Sequence, residues 1–213
     1  VQLVDTWDVR GLAGSGSHDV QLDTFVPADC VWYLDAGPTN ELYNDALYRI
    51  PFLALFAWPV AAVALGIARG AIDEVTAIAQ TKRNVTTGIP LVEQPLFQLQ
   101  VAQATAKLES ARAWLYDCLE AMSEKANAGQ AIPMSERAIT LLAATNATQE
   151  AAAAVEIAYR AAGASANFRR SLPQRALRDV NAATQHAATA PLQQLEAGAV
   201  ILGLPSKNPM LAV

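Results

Sequence analysis

Cysteine, histidine and charge are all scarce in this chain. Its two cysteines, Cys30 and Cys118, stand far apart and outside any spacing that could ligate a metal. Isolated thiols of this kind suit a reducing compartment, so the expectation is a cytoplasmic protein with free thiols and no metal site. Charged residues make up 16% of the chain and the net charge is -5. No basic surface is available to neutralise a phosphate backbone, which excludes nucleic acid as a partner. No Gly-Lys-Ser/Thr follows the glycines near the N-terminus, so a Walker-type phosphate loop is excluded too. The opening VQLVDTWDV has no basic stretch leading into an apolar run and does not read as a secretory signal. One uncharged run, Ile50 to Ala68, is long enough by count to cross a bilayer. Pro51, Pro59, its many small residues and the lack of a second span argue instead for a helix buried in a bundle, and no membrane partner is expected.

What the chain has is apolar material and helical period. Its 213 residues are 53% hydrophobic, enough for a sizeable core. Residues 1 to about 36 read as strands and turns: VQLVDTWDV, the turn GLAGSGS, then HDVQLDTFVP. From about Ala46 onward nearly everything reads as helix. The first helix is expected over roughly 46–84 with a kink at Pro59, and the second over 95–128, entered through Pro95. The third should run from Pro133–Glu136 to Gly163, and the fourth from an N-cap at Ser171 to about Gly203. Four helices of this length, about 45 Å each at 1.5 Å per residue, pack most simply as an up-down-up-down bundle.

Two local features stand out. On the expected fourth helix, Leu177, Val180, Thr184, Ala188, Pro191, Leu195, Ala199 and Leu202 recur at spacings of three and four and form a core seam. His186 falls nearly opposite, on a small-residue face with Asp179, Ala182, Ala190, Gln193 and Ala197. Pro191 should bend that helix and free the carbonyl of Ala187 beside the imidazole, an arrangement that suits a ligand wall as well as plain helix packing. Near the N-terminus, Gly14-Ser15-Gly16-Ser17 can take positive φ and bring backbone amides close to a ligand, or simply connect two strands.

Trp7 to Ser17, Asp19-Val20 and Phe25-Val26-Pro27-Ala28 together resemble the end of the middle β-domain of the acyl-CoA dehydrogenase superfamily. ALGIARGAIDE, LVEQPLFQLQVAQATAKLESAR and LPQRALRDVNAATQH are similar to helices of that superfamily's C-terminal bundle. The resemblance covers the whole chain. It implies a mainly α fold, with residues 1–36 the remnant of the β-domain and 37–213 a four-helix bundle domain, and a chain that corresponds to the C-terminal half of such a protein.

Within the superfamily the dehydrogenases need a carboxylate to remove the proton α to a thioester. The resemblance places that glutamate nine positions after the arginine of the Arg178-Asp179 pair, where this chain has Ala187. The other place for it falls near Phe56, and no acid occurs between Asp45 and Asp73. The pair followed by His186 instead resembles the reduced-flavin monooxygenases that hydroxylate aromatic compounds. For these the resemblance implies a flavin C4a-hydroperoxide formed from O2 and reduced FMN or FAD, delivered by a separate flavin reductase. It implies His186 as the acid or base beside flavin and substrate, Gly14, Ser15, Gly16 and Ser17 near the flavin ring, and Arg83 at a flavin phosphate, an ordinary solvated charge being the alternative for Arg83. Arg178 and Asp179 read as structural, Asp179 within reach of orienting the His186 ring. The alternatives are an acyl-CoA dehydrogenase-like oxidoreductase and a non-catalytic helical oligomerisation module. The apolar helices carry more hydrophobic face than one bundle can bury, so a homotetramer is expected.

Overall fold

A computed structural model describes residues 1–31 and 45–211. The N-terminal segment forms a two-stranded antiparallel ribbon, β1 (Gln2–Val4) against β2 (Asp19–Gln21), with Leu3 opposite Val20. All six strand residues are exposed. The glycine-serine segment lies between the strands, with a short 3-10 turn at Ala13–Ser15. The domain boundary expected at 36/37 lies outside the described residues.

Five α-helices follow: α1 (Ala57–Thr81), α2 (Pro95–Asn127), α3 (Met134–Ala162), α4 (Leu172–Ala183) and α5 (Leu192–Ile201). The fold is mainly helical, as the sequence implied. The second and third helices match the expected bounds to within a residue or two, and Pro95 opens α2 at its first position, where a missing N–H goes unused.

The first helix differs. Residues 46–55 form two 3-10 turns, Ala46–Arg49 and Phe52–Leu55, and α1 begins only at Ala57. Pro51 stands between the turns and holds its predecessor away from helical geometry. Pro59 is therefore the third residue of α1, among the first four N–H groups that have no intrahelical acceptor, and it opens the helix where a kink was expected. Among the described residues no helix is long and apolar enough to cross a membrane.

Helix α3 is the axis, packed against α1, α2, α4 and α5. Ala143, Ala144 and Thr145 are all fully buried. Successive side chains point about 100° apart, so three in a row without exposure require protein on every side. Alanine makes this feasible by letting neighbouring backbones approach closely. The threonines there do not leave orphan hydroxyls: Thr140, Thr145 and Thr148 donate to the carbonyls of Glu136, Leu141 and Ala144 at 3.0, 2.9 and 3.0 Å. Bulk comes from the neighbours, with Leu65, Ile72 and Val75 on α1 and Leu108 and Leu115 on α2 filling the same core. The Lys107–Glu150 pair ties α2 to α3 at 2.7 Å and Arg69–Glu109 ties α1 to α2, both partly exposed. Pairs of that exposure contribute at most about 1 kcal/mol each, so burial carries the bundle.

The expected fourth helix is two helices. It stops at Ala183 and restarts at Leu192, with a turn over 184–191 between. Pro191 has no N–H to give to Ala187, and side chains take over the carbonyls that the break exposes. Thr184 Oγ1 donates to Asn181 O at 2.7 Å, Thr189 Oγ1 to Ala183 O at 3.0 Å and Gln193 Nε2 to Ala187 O at 2.6 Å. The Ala187 carbonyl, expected to be free beside the imidazole, is thus occupied. The break also shifts the phase of α5. Val180, Thr184 and Ala188 are buried as the seam required, but Leu195 and Leu202 of that same seam are 66% and 79% exposed. Gln193 and Ala197, placed by simple period on the His186 face, are the buried residues of α5.

Candidate functional site

The N-terminal loop is fastened to α4 rather than left as a free connection. Leu12 adopts a left-handed conformation, φ 52 and ψ 30, which costs a residue with a Cβ roughly 1–2 kcal/mol. Five contacts hold it and its neighbours there. The Leu12 N–H donates to Asp179 Oδ1 at 2.8 Å. The Leu12 carbonyl accepts from Trp7 Nε1 at 3.3 Å, from the Ser15 N–H at 3.0 Å and from Ser15 Oγ at 2.8 Å. Arg178 Nη1 donates to the Arg10 carbonyl at 3.0 Å. Gly11 is required at the contact itself, because a Cβ there would stand 2.1 Å from Arg178 O and 3.0 Å from Ala182 Cβ. Further back, His18 Nδ1 accepts the Trp7 N–H at 3.2 Å and lies 3.1 Å from the Asp5 carboxylate.

Beyond this anchor the loop is open. Gly14 and Gly16 have no atom within 4 Å of where a Cβ would sit, and Gly16 has φ +59. Ser15 and Ser17 are exposed with their hydroxyls 3.3 Å apart.

His186 lies three residues past the end of α4, in the turn and not on a helix face. Its Nδ1 accepts the Ala188 N–H at 3.2 Å. In the neutral ring this places the proton on Nε2, and no described hydrogen bond engages that nitrogen. The residue is exposed, so Nε2 is accessible. Asp179 does not orient the ring, since its carboxylate oxygen takes the Leu12 amide. Because Gly11 touches Ala182 in the last turn of α4, loop and imidazole lie toward the same end of that helix.

Arg83 stands apart from this arrangement. It follows the end of α1 in the connection to α2, is exposed, and donates from Nη1 to the Gly88 carbonyl at 3.0 Å. No described hydrogen bond or ion pair joins Arg83 to His186 or to residues 14–17. The largest grooves described also lie elsewhere, one of about 420 Å³ between α1 and α2 beside Arg69 and Arg112 and one of about 610 Å³ between α3 and α4 beside Glu156 and Asn181. Both cysteines are free, Cys30 exposed and Cys118 buried in the core. Burial, with the neighbouring Asp117 carboxylate, pushes the Cys118 thiol above its ordinary value. Among the described residues no group of three metal-ligating side chains occurs.

Sequence alone singles out the loop and the histidine but misses what joins them to α4. Gly11 and the Arg178-Asp179 pair are the available signal, a glycine beside a loop and an acid on a helix, yet nothing local pairs residues this far apart.

The family model described as "Acyl-CoA dehydrogenase, C-terminal domain" matches residues 59–191. The chain is 32% identical to the indole-3-acetate monooxygenase of Pseudomonas putida over 95% of its own length and 51% of that protein's. It is 26% identical to the flavin-dependent monooxygenase, oxygenase subunit HsaA, of Rhodococcus jostii RHA1, over 89% of this chain and 52% of the relative. Among solved structures, the 3-HSA hydroxylase from Rhodococcus sp. RHA1 superposes with a TM-score of 0.89 at 25% identity, over 98% of this chain and 56% of that one. The chain therefore spans about half the length of the relatives it matches.

Proposed function

The chain belongs to the acyl-CoA dehydrogenase C-terminal domain family, and from that premise we propose that it is the C-terminal part of a reduced-flavin-dependent monooxygenase that hydroxylates an aromatic or related small substrate. The observation that carries this reading is the turn at 184–191. From residue 180 to 195 the chain holds no acid, and the exposed ionisable group there is His186 with an open Nε2. A dehydrogenase would need a carboxylate base at such a position to take a carbon-bound proton. An imidazole suits a different task, accepting a phenolic or other heteroatom proton near neutral pH. The monooxygenase names of the relatives at 32% and 26% identity support the same choice.

The open loop fits a flat ring system. Gly14 and Gly16 leave space where any side chain would project, and the Ser15 and Ser17 hydroxyls can donate to ring carbonyl or nitrogen acceptors. FMN or FAD, reduced before binding, would supply the activation of O2. Arg83 has donors left after its bond to Gly88 and can take a flavin phosphate from its exposed side, a geometry that suits guanidinium. The residues' own part is to seat the ring against the loop and to move one proton at His186 Nε2. Since a relative bears the name oxygenase subunit, the reductant comes from a separate flavin reductase in this reading. The exposed Leu192, Leu195, Ile201 and Leu202 supply an apolar surface for self-association as a tetramer, and free Cys30 and Cys118 suit a cytoplasmic setting.

The deciding experiment is anaerobic titration with reduced and oxidised FMN and FAD, for this chain and for a version extended to the length of its relatives. Preferential binding of reduced flavin by the extended protein is expected. Tightly held oxidised FAD with turnover of acyl-CoA would overturn the proposal.

A further inference from the structure

We infer that Asp179 is a positioning residue, which latches the glycine-serine loop to α4 and so fixes Gly14–Ser17 relative to His186. The inference rests on the reduced-flavin reading for what the loop holds, but the latch stands on geometry alone. A left-handed Leu12 is unfavourable by itself, and it is the residue whose N–H the Asp179 carboxylate accepts at 2.8 Å. The same backbone unit turns its carbonyl toward Trp7 and Ser15, so one residue joins the helix on one side and the loop on the other. Arg178 secures the preceding carbonyl of Arg10, and Gly11 lies flat against the helix because nothing larger fits. Four residues after Asp179 α4 ends, and three residues later stands His186. A rigid helix of this kind carries the loop at one position and the imidazole at another, so their separation is set by α4 and not by the flexible turn or the open loop. A carboxylate is the suitable group, since it only accepts and its charge strengthens the bond to a backbone N–H.

The test compares Asp179→Ala and Asp179→Asn with the unaltered protein, in the extended form used above. Asparagine keeps an oxygen acceptor at the same place, so it is the rescue. Amide exchange at Leu12 should quicken by roughly 10- to 100-fold in the alanine variant, the range for losing a hydrogen bond to a charged acceptor, and recover largely with asparagine. Reduced-flavin affinity should fall by about tenfold with alanine and return with asparagine, peroxide release per reductant should rise and fall in step, and helix content should stay constant. Unchanged Leu12 exchange in Asp179→Ala overturns the latch. So does a loss of binding that tracks the melting temperature and is not rescued by asparagine, for that pattern marks a purely structural role. Absence of reduced-flavin binding in the unaltered protein sinks the flavin reading, and Leu12 exchange still decides the latch.

Discussion

Gly11→Ala is the sharpest probe of how the N-terminal loop is held. The new Cβ would lie 2.1 Å from the Arg178 carbonyl oxygen and 2.7 Å from its carbon. Non-bonded carbon contacts settle near roughly 3.5 Å, so the loop must retreat by more than about 1 Å. The obstacle is helix backbone, which cannot swing aside as a side chain would. Moving the 2.8 Å bond between the Leu12 N–H and Asp179 by that amount takes it beyond hydrogen-bonding distance. A hydrogen bond to a charged acceptor contributes about 1.5–3 kcal/mol, and partial exposure favours the lower end, so Leu12 should exchange about tenfold faster or more. The core around α3 is remote from this contact, and the loop detaches before the helices melt. Amide exchange by NMR and a thermal melt followed by circular dichroism measure the two consequences separately. Gly14→Ala is the control, because a Cβ there meets nothing within 4 Å. Leu12 protection equal in Gly11→Ala and the parent protein would refute the argument, and equal losses in both glycine variants would show that loop flexibility matters more than the contact.

The same geometry sets other outcomes. His186→Ala should leave the melting temperature nearly unchanged, since the ring is exposed, and lower product formation by on the order of 10² to 10⁴ while flavin oxidation continues as peroxide release; normal coupling would end the role proposed for it. Gln193→Leu removes the donor to Ala187 O and the acceptor of Asn208 Nδ2 at 2.5 Å, and should cost about 1–3 kcal/mol in denaturant unfolding, with α5 loosening first by hydrogen exchange. Leu108→Ala opens the core between α2 and its neighbours at a residue only 1% exposed and should cost about 2–5 kcal/mol by the same measurement. A thiol reagent applied to the native protein at pH 8 should modify Cys30 promptly and Cys118 only on unfolding, because burial and Asp117 keep the Cys118 thiol protonated; stoichiometric reaction of both would contradict the packing of α2.

Sequence alone determined the mainly helical fold, the bounds of α2 and α3 and the absence of any acid near His186, because each of these is local. A proline at a first turn, a run of alanines with a sustained 3.6-residue period and the identity of a side chain need no partner to be read. It also placed His186 and the Gly14–Ser17 segment as the residues to watch, although their roles await the experiments above. Tertiary structure decided the rest. The seam through Leu195 and Leu202 rested on extending one period across Pro191, and what ended that period was a set of side-chain bonds, Thr189 to Ala183 and Gln193 to Ala187, each reaching six residues back. Those bonds form only once the turn is folded against the bundle, and the phase of α5 depends on them. The attachment of Leu12 to Asp179 spans 167 residues. A contact at that separation leaves no periodic trace in the chain. Its ends are an ordinary leucine and an acid on a helix, and only folding brings the amide of one to the carboxylate of the other.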